Sequence, residues 1–126
     1  MRPRSLAEVA ELTLNGAPFD LCLKNFLDEF HVRPASESLS QEPPRLGDSL
    51  PDIGHVQDAY LAAVAETLAS TANINTPAWA FSESRKLKRP WFALDYDSLR
   101  ALLLWESPAA FRSRNLFVSE NALSRA

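Results

Sequence analysis

The chain is poor in cysteine, glycine and histidine, and each shortage closes off a class of function. A single cysteine, Cys22, allows no internal disulfide, which excludes a disulfide-stapled scaffold and suits a reducing compartment. The 3 glycines form no G-x-G-x-x-G, no P-loop and no G-x-S-x-G, so the common dinucleotide, NTPase and serine-hydrolase signatures are missing. His31 and His55 are the only histidines, and no H-E-x-x-H exists. Asp28, Glu29 and His31 do not share a helix face, so they read as solvated groups near a helix end and not as metal ligands. No run reaches the roughly 20 apolar residues of a membrane span. Glu8 and Glu11 follow the basic Met1–Arg4 where a signal peptide needs an apolar core, so none is expected. The expectation is a cytoplasmic protein without catalytic residues, metal or cofactor.

What the chain does contain is alanine, leucine and 9 prolines that punctuate it. Its 126 residues suit one domain, 1–126. Ser5-Leu6-Ala7-Glu8 has the form of a capping box, predicting a helix to about Leu14 that Asn15-Gly16 ends. Pro18 opens a second helix whose Phe19, Leu23, Phe26, Leu27 and Phe30 share a face with Cys22, which predicts a buried, inert thiol. Residues 33–52 carry Pro34, Pro43, Pro44, Gly47 and Pro51 among serines, predicting a long loop or linker between this helix pair and the main bundle. Leu39, Leu46 and Leu50 are its candidate anchors. A third helix is predicted from about Ile53 to Ala72, with Ile53, Val56, Tyr60, Val64 and Leu68 on one side and alanines on the flanks.

Thr76-Pro77 predicts a short capped helix carrying Trp79 and Phe81. Asp95 or Asp97 is the expected cap of a helix ending near Glu106, in which Leu99, Leu102, Leu103, Leu104 and Trp105 suggest a central, mostly buried element. Ser107-Pro108 predicts a further cap and short helix. Leu116–Val118 reads as an extended connector, and Ser119 as the cap of a last helix. With no alternating strand pairs, the fold class is all-α, a compact bundle of five to seven helices with a long Pro/Ser-rich loop. The block from Pro90 onward holds Trp91, Phe92, Trp105, Phe111 and Phe117. Side chains this large need cover, from the rest of the chain or from a partner.

Charge divides the chain. Residues 1–84 hold 12 acidic and 5 basic side chains, and residues 85–126 hold 4 and 8, so a front of −7 adjoins a back of +4. The halves either attract one another within the fold or meet different partners. The run Arg85-Lys86-Leu87-Lys88-Arg89, flanked by Trp79 and Trp91, reads as a solvated loop, a dock for an acidic protein, or a phosphate-and-base contact. Arg112 and Arg114 suit the exit of a short helix, where cations complement the dipole, or a basic contact surface shared with Arg125.

The blocks Asp58–Glu66, Pro90-Trp91-Phe92, Glu106–Arg112 and Phe117–Ala126, with Phe26–Phe30 nearer the start, resemble a family of small helical bacterial proteins. Its members are antitoxin-like and typically encoded beside a nucleotidyltransferase-like toxin. The resemblance implies a non-enzymatic protein-binding module, and the acidic front half suggests how it would act: its helices or the 33–52 loop would cover a basic nucleotide-binding cleft on that partner. Asp28, Glu29, Glu37 and Glu42 would stand in for phosphate. The alternative expectation is a DNA-binding autoregulator using Arg85, Lys86, Lys88, Arg89, Arg112 and Arg114. A homodimer through the aromatic-rich C-terminal block is also open.

Overall fold

Ser5 starts the first helix as its spacing predicts. In the computed structural model, which describes residues 2–93 and 97–123, the Ser5 Oγ accepts a hydrogen bond from the Glu8 N–H at 3.0 Å, and α1 runs Leu6–Leu14. Gly16 follows at φ 101°, a left-handed conformation that glycine adopts without steric cost. Helix α2, Phe19–Val32, begins after Pro18 and buries Cys22, Leu23, Phe26, Leu27 and Phe30. This stripe packs on α1, whose Leu6, Val9 and Ala10 are buried in the same cluster. Burial pushes the Cys22 thiol pKa up, which keeps it protonated and poorly nucleophilic.

The segment 33–52 is tied to the body. A four-residue helix α3, Glu37–Ser40, interrupts it, and Leu39 and Leu46 are buried in the core. The carboxylate of Asp58 accepts hydrogen bonds from the N–H groups of Leu46 (2.8 Å) and Gly47 (3.0 Å), which would otherwise lie buried without partners. The Trp79 indole N–H donates to the Leu39 carbonyl at 2.9 Å. Close approach explains two glycines here. A Cβ on Gly54 would lie 2.3 Å from the Leu46 carbonyl oxygen, and one on Gly47 would lie 2.4 Å from the His55 ring.

Helix α4, Gly54–Thr71, is the centre of the molecule. Ala59, Leu61, Ala62, Ala63, Val64, Ala65, Leu68 and Ala69 are all buried, so the helix is covered on most of its circumference and not along one stripe. Its alanines let neighbours come close on several sides. Against it lie a 3₁₀ turn at Ala78–Phe81, a second at Glu83–Arg85, helix α6 (Ala109–Arg112) and strand β2 (Leu116–Phe117). Ile53, expected on the buried side, is instead 41% exposed.

Strand β1, Trp91–Phe92, pairs in parallel with β2, in the register Trp91 to Leu116 and Phe92 to Phe117. The sequence signals no such pairing, because two residues per strand carry no alternation. Helix α5, Asp97–Glu106, lies beside β2. Helix accounts for 55% of the chain and strand for 3%, so the architecture is mainly helical. No described helix is long and apolar enough to cross a membrane.

Three expectations at helix ends change. The segment after Thr76-Pro77 is a 3₁₀ turn with no side-chain cap. Ser107 does not cap α6. Its hydroxyl accepts from the Val118 N–H at 2.7 Å and donates towards the Leu103 carbonyl at 2.6 Å, clamping the strand end to α5. Capping by Asp95 or Asp97 lies outside the described residues and side chains. Past Ser119 there is a turn closed by Ala122 N–H to Ser119 carbonyl at 3.0 Å, and the expected last helix otherwise lies outside the described residues with Arg125.

Candidate functional site

Two of the cations assigned to a contact surface belong to the interior. Arg85 is 0% exposed and Arg114 1%, which makes them the largest fully buried side chains among the described residues. The Arg85 guanidinium donates to the carbonyls of Pro43 (2.6 Å) and Asp58 (3.2 Å), meets Glu42 at 3.4 Å and Asp58 Oδ1 at 3.9 Å, and lies 4.9 Å over the Trp79 ring. Burial pushes its pKa down, while Asp58 and Glu42 act in the opposite sense. Arg114 donates to Glu66 Oε1 (2.6 Å) and to the carbonyls of Ala110 (2.6 Å) and Ala80 (2.8 Å).

Each arginine therefore joins the basic back of the chain to the acidic front, at Asp58 and Glu42 in one case and Glu66 in the other. Arginine suits this role because its planar fork serves a carboxylate and carbonyls at once. A carboxylate such as Asp58 inside an Ala/Leu-rich helix is the one sequence signal that demanded a buried cation. The reading of Arg85 and Arg114 as surface contacts is corrected accordingly.

The basic run alternates. Arg85 points in, Lys86 out, Leu87 half in, and Lys88 and Arg89 out. Leu87 is held through its N–H to the Arg114 carbonyl (3.2 Å), and its own carbonyl accepts from the Asn115 side chain (2.7 Å). Lys86 pairs with Glu83 at 3.2 Å, and Arg112 is exposed. The structure thus leaves Lys86, Lys88, Arg89 and Arg112 at the surface from the set of six.

The four acidic residues do not form one unencumbered face. Glu29 meets Arg2 at 3.4 Å, and Glu42 is shared between Arg45 (3.7 Å) and Arg85 (3.4 Å). Asp28 is half-buried with interactions of its own, and Glu37 is exposed. Among the described residues, no three His, Cys, Asp or Glu side chains converge as metal ligands.

The most prominent surface feature is α5. It lies beside the β1–β2 pair, where Phe92 is stacked on Phe117 at 5.0 Å and Arg100 lies 5.1 Å over Phe92, and the Ser107 clamp holds its C-terminal end. Among its described side chains, Leu103 alone is fully buried. Trp105 is 85% exposed, and Leu102 and Leu104 are 48% exposed. At 3.6 residues per turn, Ala101, Leu102, Leu104 and Trp105 share the outward half of the helix. The expectation of a central, mostly buried helix is therefore overturned. Three consecutive leucines span most of a turn, and only one can face the core.

The tryptophans do not gather in one cluster: Trp79 and Trp91 are half-buried at separate places, and Trp105 stands in solvent. Compared with family models, curated proteins and solved structures, the chain matches none.

Proposed function

We propose that this chain is a non-enzymatic protein-binding module whose contact surface is the outward face of α5. The observation that carries this reading is Trp105, 85% exposed beside Leu102 and Leu104 on a helix whose C-terminal end is held by the Ser107 clamp. An apolar face of this kind is costly in water and is the composition of interface cores, where tryptophan is over-represented among the residues that dominate affinity. The Ser107 clamp next to Trp105 supports recognition without reordering of this end, because less freedom is left to lose on association.

The partner in this proposal is the one the family resemblance implies, a nucleotidyltransferase-like protein, with this chain as its antitoxin-like inhibitor. The ion pairs at Glu29 and Glu42 shift the proposed contact away from phosphate mimicry and towards apolar docking, with Glu37 and the exposed Lys86, Lys88, Arg89 and Arg112 left for the polar rim. A DNA-binding role draws no comparable support, since Arg85 and Arg114 are committed to the interior.

The test is calorimetric titration of the purified chain against a nucleotidyltransferase-like protein of the kind the resemblance implies, taken from the same genome. Trp105→Ser is expected to weaken the complex by about 30-fold or more, the scale of an interface hot spot, with the unfolding midpoint of the free chain unchanged. Equal affinity in the variant refutes the α5 surface. No heat with the wild-type chain refutes the partner. A wild-type chain that elutes as a dimer, with Trp105→Ser a monomer, would assign the face to self-association.

A further inference from the structure

A cavity of about 570 Å³ lies on a different part of the molecule, between the start of α2, the first half of α4, β1 and the segment after β2. This volume falls within the range of small-molecule sites. Its walls include Phe19, Tyr60, Trp91, Val56 and Val118, with Asp20 also lining it. Phe19 and Tyr60 stand edge to face, with ring centroids 6.1 Å apart and planes at 89°. Three aromatic rings thus border one space that no side chain of the described residues fills.

The polar side chains of this cavity are Asp20, Gln57, Tyr60 and Ser119, and the buried Gln57 Oε1 has no hydrogen-bond partner among the described residues, so it is a second acceptor for a donor ligand. Among the described residues, no lysine, arginine or histidine lines it, and Asp20 has no ion-pair partner. The Tyr60 hydroxyl likewise has no hydrogen-bond partner among the described residues. Burial, and then the charge of Asp20, push the Tyr60 phenol up to about 12, so the hydroxyl is neutral and feels the Asp20 carboxylate. A lone carboxylate beside the faces of aromatic rings attracts cations twice over, by charge and by the ring quadrupoles. The same carboxylate repels anions.

We propose that this cavity is a binding site for a small organic amine, its apolar body seated between Phe19, Trp91 and Val118 and its ammonium group on Asp20 and the Tyr60 hydroxyl. The amine needs no rearrangement of the fold, since Phe19 and Asp20 belong to the first turn of α2 and Tyr60 to the rigid centre of α4. The occupant is a free small molecule, because the volume is that of a small-molecule site and the one charged side chain among the described lining residues is the Asp20 carboxylate.

The experiment is a titration of the full ¹⁵N-labelled chain, followed by NMR, with phenethylamine and, separately, hydrocinnamate, which has a similar body and the opposite charge. Phenethylamine is expected to shift the Trp91 indole N–H and the backbone amides of Phe19, Val56 and Val118. Hydrocinnamate is expected to bind at least about tenfold more weakly, and Asp20→Asn to weaken the amine by about tenfold, the scale of one charge-assisted contact. Asp20 is exposed, so this variant keeps the fold. Equal binding of the two probes, unchanged affinity in Asp20→Asn, or no shift at these positions would overturn the proposal. Tighter binding of a capped glycyl-lysyl-glycine peptide than of phenethylamine would also overturn it, and would reassign the site to a protein side chain.

Discussion

Helices α4 and α5 are both rich in apolar residues, and the molecule treats them in opposite ways. Helix α4 carries Ala59, Ala62, Ala63, Ala65 and Ala69 between larger side chains, and neighbours close on it from several directions. Helix α5 carries Leu102, Leu103, Leu104 and Trp105 in succession, and only Leu103 is fully covered. Small side chains permit close packing on many sides, so hydrophobicity spread around a helix can still be buried. Large side chains spread the same way need more neighbours than a chain of 126 residues supplies. The exposed remainder is then a surface available to another molecule.

The sharpest way to break the comparison is to attack what closes α4. Arg85→Ala would leave the buried Asp58 without a cation, its carboxylate held only by the Leu46 and Gly47 N–H groups, and Arg114→Ala would remove the cation from Glu66. Urea unfolding is expected to show losses of about 3–5 kcal/mol for Arg85→Ala and somewhat less for Arg114→Ala, whose partner is one-third exposed. A loss below about 1 kcal/mol for Arg85→Ala would mean that Asp58 finds other support.

Next in size is crowding. Ala63→Leu on α4 is expected to cost about 1–3 kcal/mol by overpacking. Ala101→Leu on the outward face of α5 should be close to neutral by the same assay, within about 0.5 kcal/mol. Similar costs at both positions would erase the distinction between the helices.

Alkaline titration probes the lower half of α4. The Tyr60 phenol has an ordinary pKa of 10.0 and is pushed up to about 12 in the fold. The unfolded chain therefore loses this proton first, so the contribution of Tyr60 is constant below pH 10 and is lost as the pH rises from there to about 12, on top of the loss from the raised Cys22 thiol that begins near its ordinary 9.0. Tyr60→Phe should flatten that part of the pH–stability curve, and an unaltered slope would assign it to another group.

The smallest effect on stability is expected at the most conspicuous residue. Trp105→Ser should move the unfolding free energy by no more than about 0.5 kcal/mol, because so little of the side chain is covered. A loss of several kcal/mol would show that α5 is covered in solution, as in a self-associated form, and light scattering of wild type and variant would separate the cases.

The elements themselves were legible wherever local chemistry decides. Ser5 and Glu8 mark the start of α1, Gly16 its end, and the spacing of Leu23, Phe26, Leu27 and Phe30 the buried side of α2. Leu39 and Leu46 were recognisable as anchors of the 33–52 segment because isolated leucines in a polar stretch gain by burial. The use of Ser107 was not legible, since a serine before proline is equally a cap or a clamp until Val118 is brought to it. The alternation of Arg85 to Arg89 was hidden for a similar reason. A run of cations looks solvated unless the carboxylates of Asp58 and Glu42 are known to lie alongside.

The candidate site was less legible than the fold. Leucine density in α5 suggested burial, and its outward half emerged only once β1, β2 and the Ser107 clamp fixed which side faces the body. The amine cavity left no mark in the sequence, because Phe19, Tyr60, Trp91 and Val118 are far apart along the chain and each is an ordinary core residue alone.

The sequence by itself determined that the chain is mainly helical, where most of its helices start and stop, and that its charge is divided front to back, all consequences of local propensity, capping and composition. Only the tertiary structure decided that α4 and not α5 lies at the centre, that Arg85 and Arg114 turn inward to bind the acidic front, and which apolar residues are left outside. Those outcomes depend on which distant groups arrive together, and burial is a property of neighbours that no single stretch of chain contains.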